Sequence, residues 1–385
     1  MTSKHATAAL RTLAGAFLLT TPLAAPARAA EYSVAILQSL TGPAASIGGA
    51  MRDGALIAIE EANASGVLGS NKLKAVVEDD ASDRGQAVTQ INRFANDPAT
   101  LFVLGPTSGA VALAGLVAAN QGKVAAGTLM NAIDDVNGTG PWAFSMTQPG
   151  AITAPYLGRY AAETLKVKSC AAVGLNDNPA SMSTQKAIED DMTTRGAKVV
   201  SHDWVKRTDT DFSAIATKVA AMKDIDCVFI ANYAPQGANL VSQLRTAGLA
   251  PNIKLMGYNA LASPDFIKIG GAAVEGFYMI ADWLPGGVNE AGRAFSAKVQ
   301  ARTGSPPDFW AAVGYSHMLV AINAIRNAGP SPTREAVRDA LTHKTKDVPV
   351  IIGDRGTYTI DENRVAHYGM AVLMVKGGQF VPAPK

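Results

Sequence analysis

The chain has 385 residues, a length that suits two domains of ordinary size rather than one. Its charge is close to balance: of 34 basic and 32 acidic residues, Lys4, Arg11 and Arg28 stand in the first 29 positions, which leaves 31 basic residues beyond them. No basic stripe remains to neutralise phosphates, which excludes nucleic acid as a partner, and two cysteines, Cys170 and Cys227, exclude a disulfide-rich scaffold and a zinc spacing.

Lys4 and Arg11 precede an apolar stretch from Leu13 to Leu19 that continues through Pro22 to Ala25, and Ala27-Arg28-Ala29 places small residues where a signal peptidase reads. This order predicts a secretory signal peptide over residues 1–29, too short to span a membrane as a stable helix. The mature chain is expected to be periplasmic, starting near Ala30 or Glu31. With no cysteine before Cys170, no lipid attachment is expected. No later run is long and apolar enough to cross a bilayer, so no direct membrane insertion is expected.

Strand and helix patterns then alternate. Tyr32 to Leu37, Leu73 to Glu78, Thr100 to Leu104 and Val124 to Ala126 read as strands. Met51 to Ala64, the segment around Val88, Ile91 and Ala95, and Ala110 to Asn120 read as helices. The alternation restarts with strands at Ser169 to Gly174, Lys198 to Val200, Asp226 to Ile230 and Lys254 to Gly257. Helices are expected at Ser183 to Arg195, Asp211 to Met222 and Gln236 to Ala247. Past a strand at Gly276 to Ala281 the pattern changes. Helices follow near Ala291 to Thr303, Asp308 to Asn327 and Pro332 to Leu341, and then strands and turns from Val350 to Phe380. The fold class is α/β: two doubly wound parallel-sheet lobes. No low-complexity linker separates them, as expected if several crossovers join the lobes.

Ligands in such sheets sit beyond the carboxyl ends of the strands. Here those ends carry Thr41-Gly42-Pro43-Ala44-Ala45-Ser46 and Gly105-Pro106-Thr107-Ser108-Gly109. Amide groups at the start of the following helix attract an anion such as a carboxylate; a plain strand-to-helix turn with Ser108 as N-cap is the alternative. There is no H-E-x-x-H, G-x-S-x-G or Walker loop, so neither an enzyme nor a cofactor is expected. His202, His317, His343 and His367 lack metal spacing and read as surface or core histidines. Asp79, Asp80 and Asp83 read as a solvated loop rather than a calcium site. Cys170 and Cys227 are expected at the starts of adjacent parallel strands, with two separate buried thiols as the favoured reading and a disulfide, which export permits, as the alternative.

Ser39-Leu40-Thr41-Gly42-Pro43, Arg52-Asp53-Gly54-Ala55, Glu60-Glu61-Ala62-Asn63, the run from Glu78 to Asp83, Gln86-Ala87-Val88 and Leu104-Gly105-Pro106 stand in a recognisable order. With Asp211-Phe212-Ser213, Gly248-Leu249, Ala273-Val274-Glu275-Gly276 and Tyr315, nearly the whole mature chain resembles the periplasmic branched-chain amino acid binding proteins of ABC importers, including their aromatic-acid-binding branch. The resemblance implies type I periplasmic-binding-protein architecture, with lobes at 30–147 with 281–351 and 148–280 with 352–385. A three-crossover hinge is implied near Met146 to Pro149, Met279 to Asp282 and Val348 to Gly353. It also implies a small-molecule ligand, delivery to ABC permease subunits and a monomer.

The family's site, carried over, implies ligand contacts at Ile47, Thr107, Ser108, Gly109, Met130, Asn131, Tyr233 and Asn259. Core packing is the alternative for Ile47 and Met130, and a surface aromatic for Tyr233. A family tyrosine near Ala180 and Ser181 is missing. Amino-acid binders place an acid where Asn259 stands, and a neutral amide cannot pair a desolvated ammonium. The implied ligand is therefore an aromatic or other apolar monocarboxylate, with Tyr233, Tyr258, Met130 and Ile47 as walls. A neutral amide or an amino acid held otherwise is the alternative, as is a periplasmic sensor feeding a membrane receptor.

Overall fold

The computed structural model describes residues 1–2, 29–107, 109–129, 133–283, 287 and 289–384; the expected signal peptide thus lies largely outside the described residues. The first lobe opens with β1 (Glu31–Gln38), α1 (Ala45–Ser65), β2 (Lys72–Asp79), α2 (Arg84–Asn96), β3 (Thr100–Leu104), α3 (Gly109–Gln121), β4 (Ala125–Thr128), α4 (Ile133–Thr139) and β5 (Ala143–Ser145). Its five strands run parallel in the order β2-β1-β3-β4-β5. Strand β3 is Thr-Leu-Phe-Val-Leu and buried throughout, as a central strand covered on both faces must be.

The second lobe contains α5 (Gly150–Arg159), β6 (Ser169–Leu175), α6 (Pro179–Thr194), β7 (Lys198–Val205), α7 (Ser213–Ala220), β8 (Cys227–Ala231), α8 (Ala234–Thr246), β9 (Lys254–Gly257), α9 (Pro264–Gly270) and β10 (Tyr278–Ala281). The chain then returns to the first lobe as α10 (Glu290–Thr303), α11 (Phe309–Asn327) and α12 (Arg334–His343). The end of the chain forms β11 (Val348–Pro349), β12 (Thr357–Ile360), β13 (Ala366–His367), β14 (Ala371–Lys376) and β15 (Gln379–Pro382). The second sheet has the order β15-β14-β10-β9-β8-β6-β7 and is parallel except where β14 and β15 join it antiparallel.

Helix α11 is buried on almost every side and packs on α1. The two axes come close because Gly54 and Gly314 lie at the crossing. A Cβ on Gly54 would collide with the Ala311 carbonyl, and one on Gly314 with the Met51 backbone. At the rim of this contact Tyr315 donates to Glu61 at 2.5 Å, and Lys298 and Arg302 pair with Glu61 and Glu60.

Three crossovers join the lobes: Met146–Pro149, the segment opening at Asp282, and the chain leading into β14. Expected near residue 352, the return to the second lobe comes later in the strand pairing. Strand β12 pairs with β11 and β13 with β12, Val365 bridges Ser145, and Arg364 Nε donates to the Ala143 carbonyl, so the second sheet is joined only at Ala371. Helix α5 has no counterpart in the sequence reading, because Gly150, Pro155 and Gly158 look like helix breakers. Instead the two glycines let α5 lie against the Thr184 backbone and the Asp191 side chain of α6.

The cysteines correct one expectation. Cys170 and Cys227 are directly opposite in the β6–β8 register, with Cα atoms 4.6 Å apart, and form a disulfide rather than two separate thiols. Residues in direct register on neighbouring strands point to the same face, which the sequence alone did not fix.

Candidate functional site

The loop after β1 is braced from inside its own lobe. Asp79 accepts from the Leu40 and Ala81 amides at 2.8 and 2.7 Å and from the Thr41 hydroxyl at 2.7 Å. Burial raises the Asp79 carboxyl, but these hydrogen bonds outweigh it and hold the group below its ordinary value. Asp80 accepts from the Ser39 hydroxyl at 2.5 Å and the Ser82 amide at 2.8 Å, and Asp83 caps α2. The acidic run is therefore a brace. Among the described residues no group of three or more His, Cys, Asp or Glu side chains is placed to hold a metal.

Thr107 belongs to the same brace. Its hydroxyl accepts from the Ser39 amide at 2.7 Å and donates to Gln38 Oε1 at 2.9 Å, while its own amide donates to Asp80 at 3.3 Å. Gly105 precedes it at φ +127, where a Cβ would strike the Leu37 carbonyl. The next described residue, Gly109, opens α3 with φ +54, a backbone that disfavours any side chain. Ser108, Met130 and Asn131 lie outside the described residues. Ile47 is 7% exposed and sits in the hydrophobic core at the start of α1.

The second lobe contributes the ends of β6, β8 and β9. Asn178, beyond β6, donates through Nδ2 to the Tyr233 hydroxyl at 2.9 Å. Tyr233 stands at the N-cap of α8 and is buried. Ser181 donates to the Ala231 carbonyl at 2.6 Å, in the stretch where the family tyrosine is missing. Tyr258, beyond β9, is buried beside Tyr233. Burial raises its phenol strongly, the Tyr233 charge adds to this, and a hydrogen bond to Ser181 counters part of it. The lobes meet here: a Cβ on Gly109 would stand 3.4 Å from Asn178 Oδ1.

Asn259 follows Tyr258 in a single 3-10 turn and is half-buried. Its Nδ2 donates to Asp282 Oδ2 at 2.7 Å, and the other oxygen of Asp282 accepts from the Tyr368 hydroxyl at 2.5 Å. The Gly353 amide donates to the Asp282 carbonyl at 2.6 Å, Thr147 Oγ1 lies 3.2 Å from the Tyr368 hydroxyl, and Gln148 Oε1 accepts from the Tyr368 and Gly369 amides. Asn259 is thus tied to a polar knot where all three crossovers meet. Burial raises the Asp282 carboxyl, and the hydrogen bonds from Asn259 and Tyr368 partly oppose this.

The structure therefore brings Gly109, Tyr233 and Asn259 to the facing strand ends, while the hydroxyl of Thr107 and the side chain of Ile47 turn into their own lobe. Sequence reasoning missed Asn178, Asp282 and Tyr368. Asp282 was legible only as a strand-end residue at a crossover, and Tyr368 carried no signal of its own.

A family model described as periplasmic binding protein matches residues 31–379. A Leu/Ile/Val-binding protein of Rhizobium johnstonii is 28% identical over 337 residues, covering 86% of this chain and 88% of that one. Among solved structures, a leucine-binding protein of Thermotoga maritima superposes with a TM-score of 0.82 at 24% identity, covering 92% and 98% of the two chains. A solute-binding protein of an R. palustris ABC transporter, solved with benzoate, gives 0.78 at 17% identity, covering 91% and 95%. With two wound sheets, three crossovers and facing strand ends, the chain belongs to the periplasmic binding protein family and has its two-lobed, type I architecture.

Proposed function

We propose that this protein is the periplasmic solute-binding component of an ABC importer, taking an aromatic or other apolar carboxylate between its lobes. The observation that carries the choice of ligand is the neutral side chain at Asn259, where an acid would hold an ammonium. The amide-bearing start of α3 at Gly109 receives the carboxylate; Tyr233 and Tyr258 supply the flat apolar wall. Ligand contacts from both lobes favour the closed form, which the permease subunits read. The protein acts as a monomer, is exported with cleavage near Ala29, and returns its ligand unchanged, without cofactor or turnover. By the family's pattern Ser108, Met130 and Asn131 are further ligand contacts; they lie outside the described residues. The fold neighbour solved with benzoate supports the feasibility of such a ligand in this architecture.

A second reading, a branched-chain or other amino acid, is favoured by Asp282, a carboxylate directly behind Asn259. A thermal-shift screen of the mature protein against amino acids and aromatic carboxylates tests the choice, since a tight ligand raises the melting temperature by mass action. Shifts with aromatic acids and none with leucine or valine support the first reading. Shifts with branched-chain amino acids alone overturn it.

A further inference from the structure

We infer that the protein carries a second binding site outside the cleft, a groove along the seam between the lobes that takes an amphipathic carboxylate, an apolar body with one anionic group, and that its occupant favours the closed form. None of Gly109, Tyr233, Tyr258 and Asn259 lines this groove, so it is a site apart from the facing strand ends.

The groove has a volume of about 730 Å³, within the range of small-molecule sites. One wall belongs to the second lobe: Ile267 and Lys268 of α9, with Phe380 of β15. The opposite wall belongs to the first lobe: Ala297 and Gln300 of α10, with Pro306 and Pro307 where the chain enters α11. Trp283, on the crossover that leaves β10, lines it as well. The prolines show ring carbons and carry no amide hydrogen, so those stretches of wall have no donor with which to hold water.

Two polar groups break this apolar surface, and both suit an anion. Lys268 is the only charged side chain among the described residues that line the groove. It is exposed and forms no ion pair among the described residues, not even with Asp265 one turn earlier on α9, which does not line the groove. The indole of Trp283 is the second. Trp283 is 4% exposed, and its buried Nε1 meets no acceptor among the described residues, although a buried indole N–H ordinarily has one. A carboxylate is an acceptor for the indole and a counter-charge for the ammonium; an amine is neither.

The walls come from different lobes, so the groove has this shape in only one placement of the lobes, the one in which Gly109 and Asn178 also approach across the cleft. An occupant that touches both walls adds to the closed form and loses one wall when the lobes part. By linkage, it and a cleft ligand strengthen each other's binding.

Calorimetric titration of the mature protein with decanoate and with decylammonium tests the site. Decanoate is expected to bind at least about three-fold tighter than the amine, and Lys268→Glu to remove or reverse that preference. Tyr233→Ala takes away a wall of the cleft and should leave decanoate affinity within about two-fold. Adding Ala297→Trp, on the exposed face of α10, fills the groove and should weaken decanoate at least about ten-fold; Lys268→Glu carries the test if that variant does not fold. In small-angle X-ray scattering, decanoate should lower the radius of gyration of the wild type and of Tyr233→Ala, but not of the double variant. Loss of decanoate binding in Tyr233→Ala with retention in Ala297→Trp places the molecule in the cleft and overturns the second site, leaving the cleft reading standing. Absence of decanoate binding overturns the second site too, as does an anion preference undiminished in Lys268→Glu. Bound decanoate with an unchanged radius of gyration overturns the link to closure.

Discussion

Gly109 and Asn178 approach across the cleft from different lobes, the position of a Cβ on the first lying 3.4 Å from Oδ1 of the second. Gly109 also has φ +54, so a side chain there meets two obstacles, one within its lobe and one between lobes. Gly109→Ala is expected to lower stability by about 1 kcal/mol through the left-handed backbone. Gly109→Val should do more to the closed form than to the lobe itself, weakening ligand affinity at least about ten-fold. Titration calorimetry beside denaturant unfolding separates the two, and unchanged affinity in the valine variant would remove Gly109 from the closing contact.

Asp308 caps α11 by accepting from the Trp310 amide at 2.7 Å. Burial raises its carboxyl to about 6, the Trp310 amide opposes this, and Asp265 of the second lobe adds repulsion. A folded value above the unfolded one means that the native state binds more protons between the two. The contribution is present below about pH 4 and is lost as pH rises through about 6. Asp308→Asn keeps a capping side chain and removes the titration. It is expected to raise stability at pH 7 by about 1–2 kcal/mol and to leave it nearly unchanged at pH 4. Urea unfolding at the two pH values checks this.

His317 has the opposite sign. Burial lowers its imidazole to about 3, and the Met146 carbonyl works weakly the other way without forming a hydrogen bond to either ring nitrogen. The unfolded chain takes up this proton first, so stability falls as pH drops from about 6.5 towards 3. The ring packs edge-on against Tyr358 at 6.0 Å. His317→Phe should therefore keep much of the packing and lower the proton uptake of acid unfolding by about one. The pH dependence of the unfolding free energy measures it; an unchanged slope would mean that His317 is not the titrating group.

The Cys170–Cys227 disulfide closes a loop across 57 residues. Loop-closure entropy sets its stabilisation at about 4 kcal/mol or less. The Cys170→Ser, Cys227→Ser double variant should unfold earlier in denaturant by that order, and reductant should do the same to the wild type. Thiol labelling of the unfolded, unreduced protein is expected to find no free thiol; labelling of both cysteines would mean that the bond does not form.

Much of this architecture is visible in residue patterns. Strands Thr100–Leu104 and Lys254–Gly257 coincide with their apolar runs because each is short, buried and bounded by turn residues. The start of α1 at Ala45 was not visible, because Gly48 and Gly49 look like loop, although Gly48 is small in order to lie on the Ser39 backbone. Position along the chain was enough to expect Gly109, Tyr233 and Asn259 at the strand ends, but not what their neighbours do. Whether Thr107 faces ligand or brace depends on Gln38, Ser39 and Asp80 converging on it, and the orientation of Asn259 depends on Asp282, Tyr368 and Gln148, contributed by separate crossovers. Such relationships arise only when distant segments meet.

The late arrival of β14 sets an order on how the chain can be made. Strand β10 is flanked by β9 on one side and by β14 on the other. Until residues near 376 have emerged, β10 is an unprotected edge of apolar sequence, open to pairing with other chains. The second sheet is therefore closed on this side only by a segment that lies about ninety residues further along the chain, so the lobe cannot be completed by folding of its own consecutive elements alone.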